Sequence, residues 1–244
     1  MAVTPADFVR RSFVYRKLIN AGATMQEVAG GAVAAAFQDS VEREEGQART
    51  LGLADLSLVP RTGFKGRGAL AWLHEQGLAF EDEPNRAFAQ PEGALVAVLA
   101  GTEALILGDL GGTGDRVRRL DHAWSTDAAN GCYHVPRGDT HAWFAVCGRH
   151  AAAMFAKLCA VDLRPEKFPN SEIAQTSVAR NNCVVIRQDL GALPFFHLLG
   201  DSASAEYQWD CLLDAMMEFA GRPVGWAALT GLAAASPARS SEAR

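Results

Sequence analysis

The chain has 244 residues, 49% hydrophobic and 21% charged, proportions ordinary for a globular protein of one large or two small domains. Its 23 Lys and Arg against 28 Asp and Glu leave a net charge of −5, which excludes a basic field for gathering nucleic acid or anionic lipid. Cys132, Cys147, Cys159, Cys183 and Cys211 are odd in number and form no C-x-x-C pair, which suits reduced thiols and not a disulfide framework. No apolar core follows the basic residues of MAVTPADFVRRSFVYRK and no window is long enough to span a bilayer, so a cytoplasmic location is expected.

In chain order, residues 1–22 mix Phe8, Phe13, Val14 and Leu18 with Arg10, Arg11, Arg16 and Lys17, a pattern for an amphipathic helix or a docking arm. TMQEVAGGAVAAAF (24–37) reads as a strand or hairpin broken at Gly30-Gly31, and SVEREEGQART as a short helix. FKGRGALAWL (64–73) then recurs as VCGRHAAAMF (146–155), each copy following an apolar strand and opening an apolar-striped helix. Glycine at the turn lets helix and strand approach closely. After the first copy come the strand-like runs NRAFAQ, GALVAVLA and TEALILGDL, then the helical GDRVRRLDHAW. After the second come EIAQTSVAR, NCVVIRQDL and LPFFHLLGD, the helix ASAEYQWDCLLDAMMEFAG and a closing strand, PVGWAAL. This order predicts an α+β fold of two split β-α-β, ferredoxin-like subdomains. The expected divisions are an N-terminal arm with a first strand and helix (1–50), a first repeat (51–138), a second repeat (139–230) and a flexible tail (231–244).

The loop GDLGGTGDR (108–116) lacks the lysine and hydroxyl of a phosphate loop and carries Asp109 and Asp115, so a strand-to-helix turn is preferred. His122, His134, His141 and His150 fit no zinc spacing, and no metal site is expected. Neither a G-x-S-x-G elbow nor an activated cysteine context is present, so no catalytic residue is assigned. Cys147 ends an apolar run and reads as a buried inert thiol. Arg61, Arg67, Arg149, Arg180 and Arg187 sit at element edges within apolar stretches, where a cation needs either a carboxylate ligand or an ion pair with Asp55, Glu103 or Asp189.

The stretches LADLSLVPRTGFKGRGALAWL (53–73), WFAVCGRHAAAMFAKL (143–158) and NCVVIRQDLGALPFFHLLGDSASAEYQWDCLL resemble the glycine-cleavage T-protein (aminomethyltransferase) superfamily, and within it the gamma subunits of heterotetrameric sarcosine oxidase. The similarity spans roughly residues 50–230. Arg149 replaces the family's usual proline, no Asp stands where the family holds the folate amine, and Gln188-Asp189-Leu190-Gly191 replaces its T-G-Y-T-G-E signature. The resemblance therefore implies a structural subunit, itself carrying no cofactor. FAD, FMN, NAD and tetrahydrofolate are expected on larger flavin- and folate-binding partner subunits. Such a complex oxidises an N-methyl amino acid and passes the methyl carbon to tetrahydrofolate. The alternatives are a stand-alone tetrahydrofolate-binding aminomethyltransferase or demethylase, with Arg67, Arg187 and His197 around a pocket, and a subunit of an N-methylglutamate dehydrogenase.

Overall fold

Strand runs such as LVAVLA, EALIL and HAWFAVC are apolar at nearly every position, which is what a sheet covered on both faces requires. The computed structural model, which describes residues 3–38, 40–127 and 130–235, shows what covers them. A short 3-10 turn, Pro5–Asp7, precedes α1 (Tyr15–Asn20), so the amphipathic pattern of residues 1–22 is helical only over its second half. Next come β1 (Thr24–Val28) and β2 (Gly31–Ala36), a hairpin turning at Ala29 and Gly30, both with positive φ as a tight two-residue turn demands. Helix α2 (Val41–Leu51) starts at Ser40, whose hydroxyl accepts from the Arg43 amide.

The first repeat unit follows as β3 (Gly52–Asp55), β4 (Arg61–Lys65), α3 (Ala69–Glu75), β5 (Arg86–Ala89), β6 (Leu95–Ala100), β7 (Glu103–Leu107), α4 (Arg116–Ala123) and β8 (Tyr133–His134). The second is β9 (His141–Cys147), α5 (Ala151–Phe155), β10 (Ile173–Val178), β11 (Asn181–Arg187), β12 (Phe195–Asp201), α6 (Ala205–Met216), β13 (Arg222–Pro223) and α7 (Trp226–Ala235). The sheets run β5-β6-β7-β4-β8 and β10-β11-β12-β9-β3-β13, so β4 and β9 hold matching places.

The duplication extends to backbone detail. Gly66 and Gly148 end the two matching strands with φ of +122° and +114°. A Cβ on Gly66 would lie 2.1 Å from the Gly131 carbonyl oxygen, and one on Gly148 2.5 Å from that of Thr50. In each copy the glycine carbonyl then accepts the amide of the first helical residue, Ala69 or Ala151, at 3.0 Å. The matching edge strands β5 and β10 meet as well. Ile173 N donates to Asn85 O at 2.9 Å, Ala87 N donates to Ser171 O at 2.8 Å, and Arg86 pairs with Glu172 at 3.0 Å.

The layers are helices, sheet, sheet, helices. Alternate side chains decide it: Val96, Val98, Ala104 and Ile106 pack on α3 and α4, while Leu95, Ala97, Leu105 and Leu107 face Trp143, Ala145, Ile186 and Phe195 of the other sheet. Beyond the second sheet, Phe144, Val146, Phe196 and Leu198 pack on α5 and α6.

Two expectations are corrected. PVGWAAL is not a closing strand: pairing ends at Pro223 and α7 begins at Trp226. A short all-apolar run does not distinguish a strand from a buried helix, and Gly225, whose Cβ would strike the Ala35 carbonyl oxygen at 2.0 Å, turns the chain between them. Nor is the stretch from 231 all tail, because α7 carries buried Leu232 and runs to Ala235; residues 236–244 lie outside the described residues. Beside β9, in the place that β8 takes next to β4 in the other sheet, stands β3, with β13 outside it in parallel.

Candidate functional site

Arg187 ends β11 and is only 6% exposed. Its Nε and one terminal nitrogen donate to the two carboxylate oxygens of Asp189 at 2.9 and 2.7 Å, and the other terminal nitrogen donates to Phe168 O at 2.7 Å. Asp189 also accepts from Phe195 N at 3.3 Å, while Asn170 Oδ1 accepts from Asp189 N at 2.8 Å. A forked pair of this kind satisfies the buried cation and clips three chain segments together.

His197 lies one residue away in the ladder, yet on the other face. The register pairs Arg187 with Phe196 and Ile186 with His197. The guanidinium therefore lies over the Phe196 ring, 5.9 Å from its centroid, on the α5 and α6 side, whereas His197 points into the layer between the sheets. There the Trp143 indole N–H donates to His197 Nδ1 at 3.1 Å. The ring proton accordingly resides on Nε2 and is donated to Gln188 Oε1 at 2.8 Å. Burial pushes the His197 pKa down to about 3, so the ring is a neutral bridge. Arg67 is exposed on the turn after β4, in the other sheet's repeat. The three residues read as pocket candidates thus occupy a buried ion pair, a buried neutral bridge and an exposed turn.

A polar seam continues from His197 between the sheets. Trp143 N donates to Ser57 Oγ at 3.1 Å, and Ser57 N donates to Asp55 Oδ1 at 3.1 Å. Burial raises the Asp55 pKa, opposed by hydrogen bonds from Ser12 and Ser57 and by the nearby Arg61 charge. Arg61, 4% exposed, donates to the carbonyls of Ser57 and Val59 at 2.8 and 3.2 Å, of Gly138 at 2.9 Å, and of His141. Burial lowers its pKa to about 10. Arg61 is thus a structural tie between the β3–β4 link and the start of β9, and Asp55 is its nearby counter-charge. The seam opens near His141, whose pKa is pushed down to about 4 by burial and by Arg137 and Arg61. A cleft of about 450 Å³ lies here, lined by His141, Gln175, Ser177, Asn182, Val184 and Leu199 among others. Ser12, Ser57, Trp143 and Gln188 are the members that sequence reasoning missed. Only long-range pairing brings them together, and no local signal marks them.

The remaining motifs resolve simply. In the 108–116 loop the amides of Thr113 and Gly114 donate to Asp109 at 3.2 and 2.7 Å, so the chain's own carboxylate occupies the anion-binding turn. His134 Nε2 is 2.8 Å from Thr62 Oγ1 and 2.9 Å from Asp121 Oδ1; both contacts use one nitrogen, which cannot relay a proton between them. Among the described residues no group of His, Cys, Asp and Glu could hold a metal ion. Cys147 is fully buried and its thiol is pushed up to about 12, an inert group. Glu92 pairs with Arg116, and Glu103 with Lys65 and Arg137 at 2.8 and 2.5 Å. No helix among the described residues is long and apolar enough to cross a membrane.

No protein-family model and no curated protein matches the chain by sequence. Solved structures match it by fold. The glycine cleavage system aminomethyltransferase T of Bartonella henselae superposes with a TM-score of 0.71 at 16% identity, over 92% of this chain and 62% of that one. This chain therefore spans less than two thirds of that protein's length. A chain of the heterotetrameric sarcosine oxidase of Corynebacterium sp. U-96, in complex with pyrrole 2-carboxylate, superposes with a TM-score of 0.58 at 19% identity, over 75% of this chain and 94% of that one. At these identities the likeness is one of architecture: the chain has the α+β fold shared by aminomethyltransferase T and a sarcosine oxidase subunit.

Proposed function

We propose that the chain is a structural, non-catalytic subunit of a sarcosine-oxidase-type complex, the equivalent of its gamma subunit. FAD, FMN, NAD and tetrahydrofolate reside on the larger partner subunits, which oxidise an N-methyl amino acid and pass its methyl carbon to folate. The observation that carries this reading is the packed layer around His197, together with the cleft near His141, whose lining holds no carboxylate. Trp143, Ala145, Ile186, Phe195 and Leu199 occupy the layer between the two sheets, and the polar groups among them, His197 included, bond to one another. Glu92 and Glu103, the carboxylates flanking the strands where the superfamily places its folate-holding acid, are each held by a cation. The match with the sarcosine oxidase chain also covers nearly all of a polypeptide shorter than this one, which favours a whole-subunit equivalence.

Co-expression with candidate larger subunits, followed by size-exclusion chromatography and flavin absorbance, tests the proposal. Co-elution of the chain with flavin-containing subunits is expected. A chain that stays monomeric in their presence and binds tetrahydrofolate at micromolar concentration would instead make it a free-standing transferase.

A further inference from the structure

The charge of this chain is unevenly placed. Residues 1–20 contain Arg10, Arg11, Arg16 and Lys17 against Asp7, a net of +3, so the rest of the chain carries −8. The described part of the segment is ordered. Pro5, Ser12, Val14 and Leu18 are buried, the last two with no exposed surface, and Thr4 N and Oγ1 donate to Asp7 at 3.1 and 2.9 Å. Between these anchors the chain presents Val9, which is 102% exposed, with half-buried Phe8 beside it and exposed Arg10 and Arg11 following. Arg11 donates from Nε to Phe8 O at 3.1 Å and lies over the Tyr15 ring, 5.8 Å from its centroid, while Arg16 approaches the same ring at 5.1 Å. Lys17 pairs with Asp210; among the described residues no ion pair joins Arg10, Arg11 or Arg16 to an acid.

We infer that this arm docks onto an acidic, pocketed surface of a partner protein, one of the larger subunits; the inference rests on the subunit reading above. Exposed arginines stacked on a tyrosine, with Phe8 and Val9 beside them in the chain, carry the aromatic and arginine content of an interface centre. The Tyr15 stacking holds two guanidiniums in place before binding, which lowers the entropy lost on association. The chain's overall negative charge opposes a long polyanion, and so favours a protein surface carrying a local acidic patch.

The test uses the full-length chain, as wild type, as the Arg10→Glu/Arg11→Glu/Arg16→Glu triple variant and as Val9→Asp, with binding to the co-expressed larger subunits measured by surface plasmon resonance at low and high salt. The triple variant is expected to bind about tenfold or more weakly, chiefly through slower association, with most of the wild-type salt dependence gone. Val9→Asp is expected to dissociate about tenfold faster at an unchanged association rate. Circular dichroism and thermal melting check that both fold, and Val9→Asp decides the matter where the triple variant does not. Variants that bind like wild type overturn the arm inference and leave the subunit reading standing. A wild-type chain that binds none of the larger subunits overturns both. Arm-dependent binding to phosphatidylglycerol vesicles, or arm-dependent self-association, in place of subunit binding, overturns the inference in favour of those occupants.

Discussion

Two histidines that folding keeps neutral should each withdraw stability as the pH falls from 7 to 5, the buried His197 about 2 kcal/mol of it. In the unfolded chain a histidine titrates near 6.5, whereas His197 in the fold is held down to about 3 by burial and His141 to about 4. A group whose folded value is depressed stabilises the native state above its unfolded value and loses that contribution as the pH falls toward the folded one. At about 1.4 kcal/mol per pH unit, and with the unfolded ring becoming protonated below 6.5, His197 costs about 2 kcal/mol between pH 7 and 5, and His141, which faces the cleft, costs less. Asp55 works in the opposite direction, because a raised carboxylate contributes at low pH and loses its contribution as the pH rises through its folded value. A single-site difference removes that contribution from the comparison. Urea unfolding at the two pH values should show His197→Gln losing about 2 kcal/mol less between them than wild type does, whatever the variant's stability at pH 7. A variant whose loss between the two pH values equals that of wild type would refute the buried neutral bridge. So would a His197 ring resonance that shifts between pH 7 and 5.

Three further outcomes follow from the packing. Gly148→Ala places a Cβ 2.5 to 2.7 Å from the carbonyl oxygens of Thr50 and Ala48 at φ +114°, so a loss of about 3 kcal/mol or more is expected by thermal melting; Gly22→Ala, at φ +84° in open space, should cost about 1. Glu44 is 1% exposed and its carboxylate accepts from Phe37 N, from Gln38 N at 2.7 Å and from Gly225 N at 2.5 Å, so Glu44→Ala strands three amides and should cost about 3 to 5 kcal/mol by urea denaturation. Of the five cysteines only Cys211 is not buried, so alkylation of the native protein followed by mass spectrometry should label it first and the other four only on unfolding.

The legible parts of the fold were those set by neighbours in sequence. Gly66-Arg67 and Gly148-Arg149 mark their strand-to-helix turns because the turn needs a positive φ and has no room for a Cβ, both local demands that only glycine meets. Runs such as LVAVLA, with β-branched Val96 and Val98 and bounded by Gly93 and Gly101, read as strands from those residues and flanks, and their lack of alternation fits cover on both faces. What escaped was set by partners far along the chain. Glu44, within VEREEGQART, has the look of a solvated helix acid; it is buried because β2 and the start of α7 bring amides to it from 37, 38 and 225. The place of β3 beside β9 is equally invisible locally, since it depends on which of two short strands reaches β9.

The site residues show the same division most sharply. Arg187 beside Asp189 is a pair two residues apart, and the sequence offers that ion pair as one of two readings. His197 stands near Arg187 on the ladder, and a shared pocket follows only if both side chains leave the sheet on one face. Which face each takes depends on the register across the 188–194 loop, which a two-residue Gly191-Ala192 turn sets, with Gly191 at φ +61° and reciprocal Leu190–Leu193 bonds of 3.0 Å continuing the ladder's count. A one-residue shift would have put the two side chains on the same face. The observed register gives each its own partners, Asp189 and Phe168 for the arginine, Trp143 and Gln188 for the histidine. With both groups already satisfied, binding to a substrate there would first have to break buried bonds. The exposed arginine side chains of residues 10–16 make only the exposed Arg11–Phe8 bond and the Tyr15 ring contacts, with no ion pair to an acid among the described residues, and for that reason the surface holds the stronger claim to function.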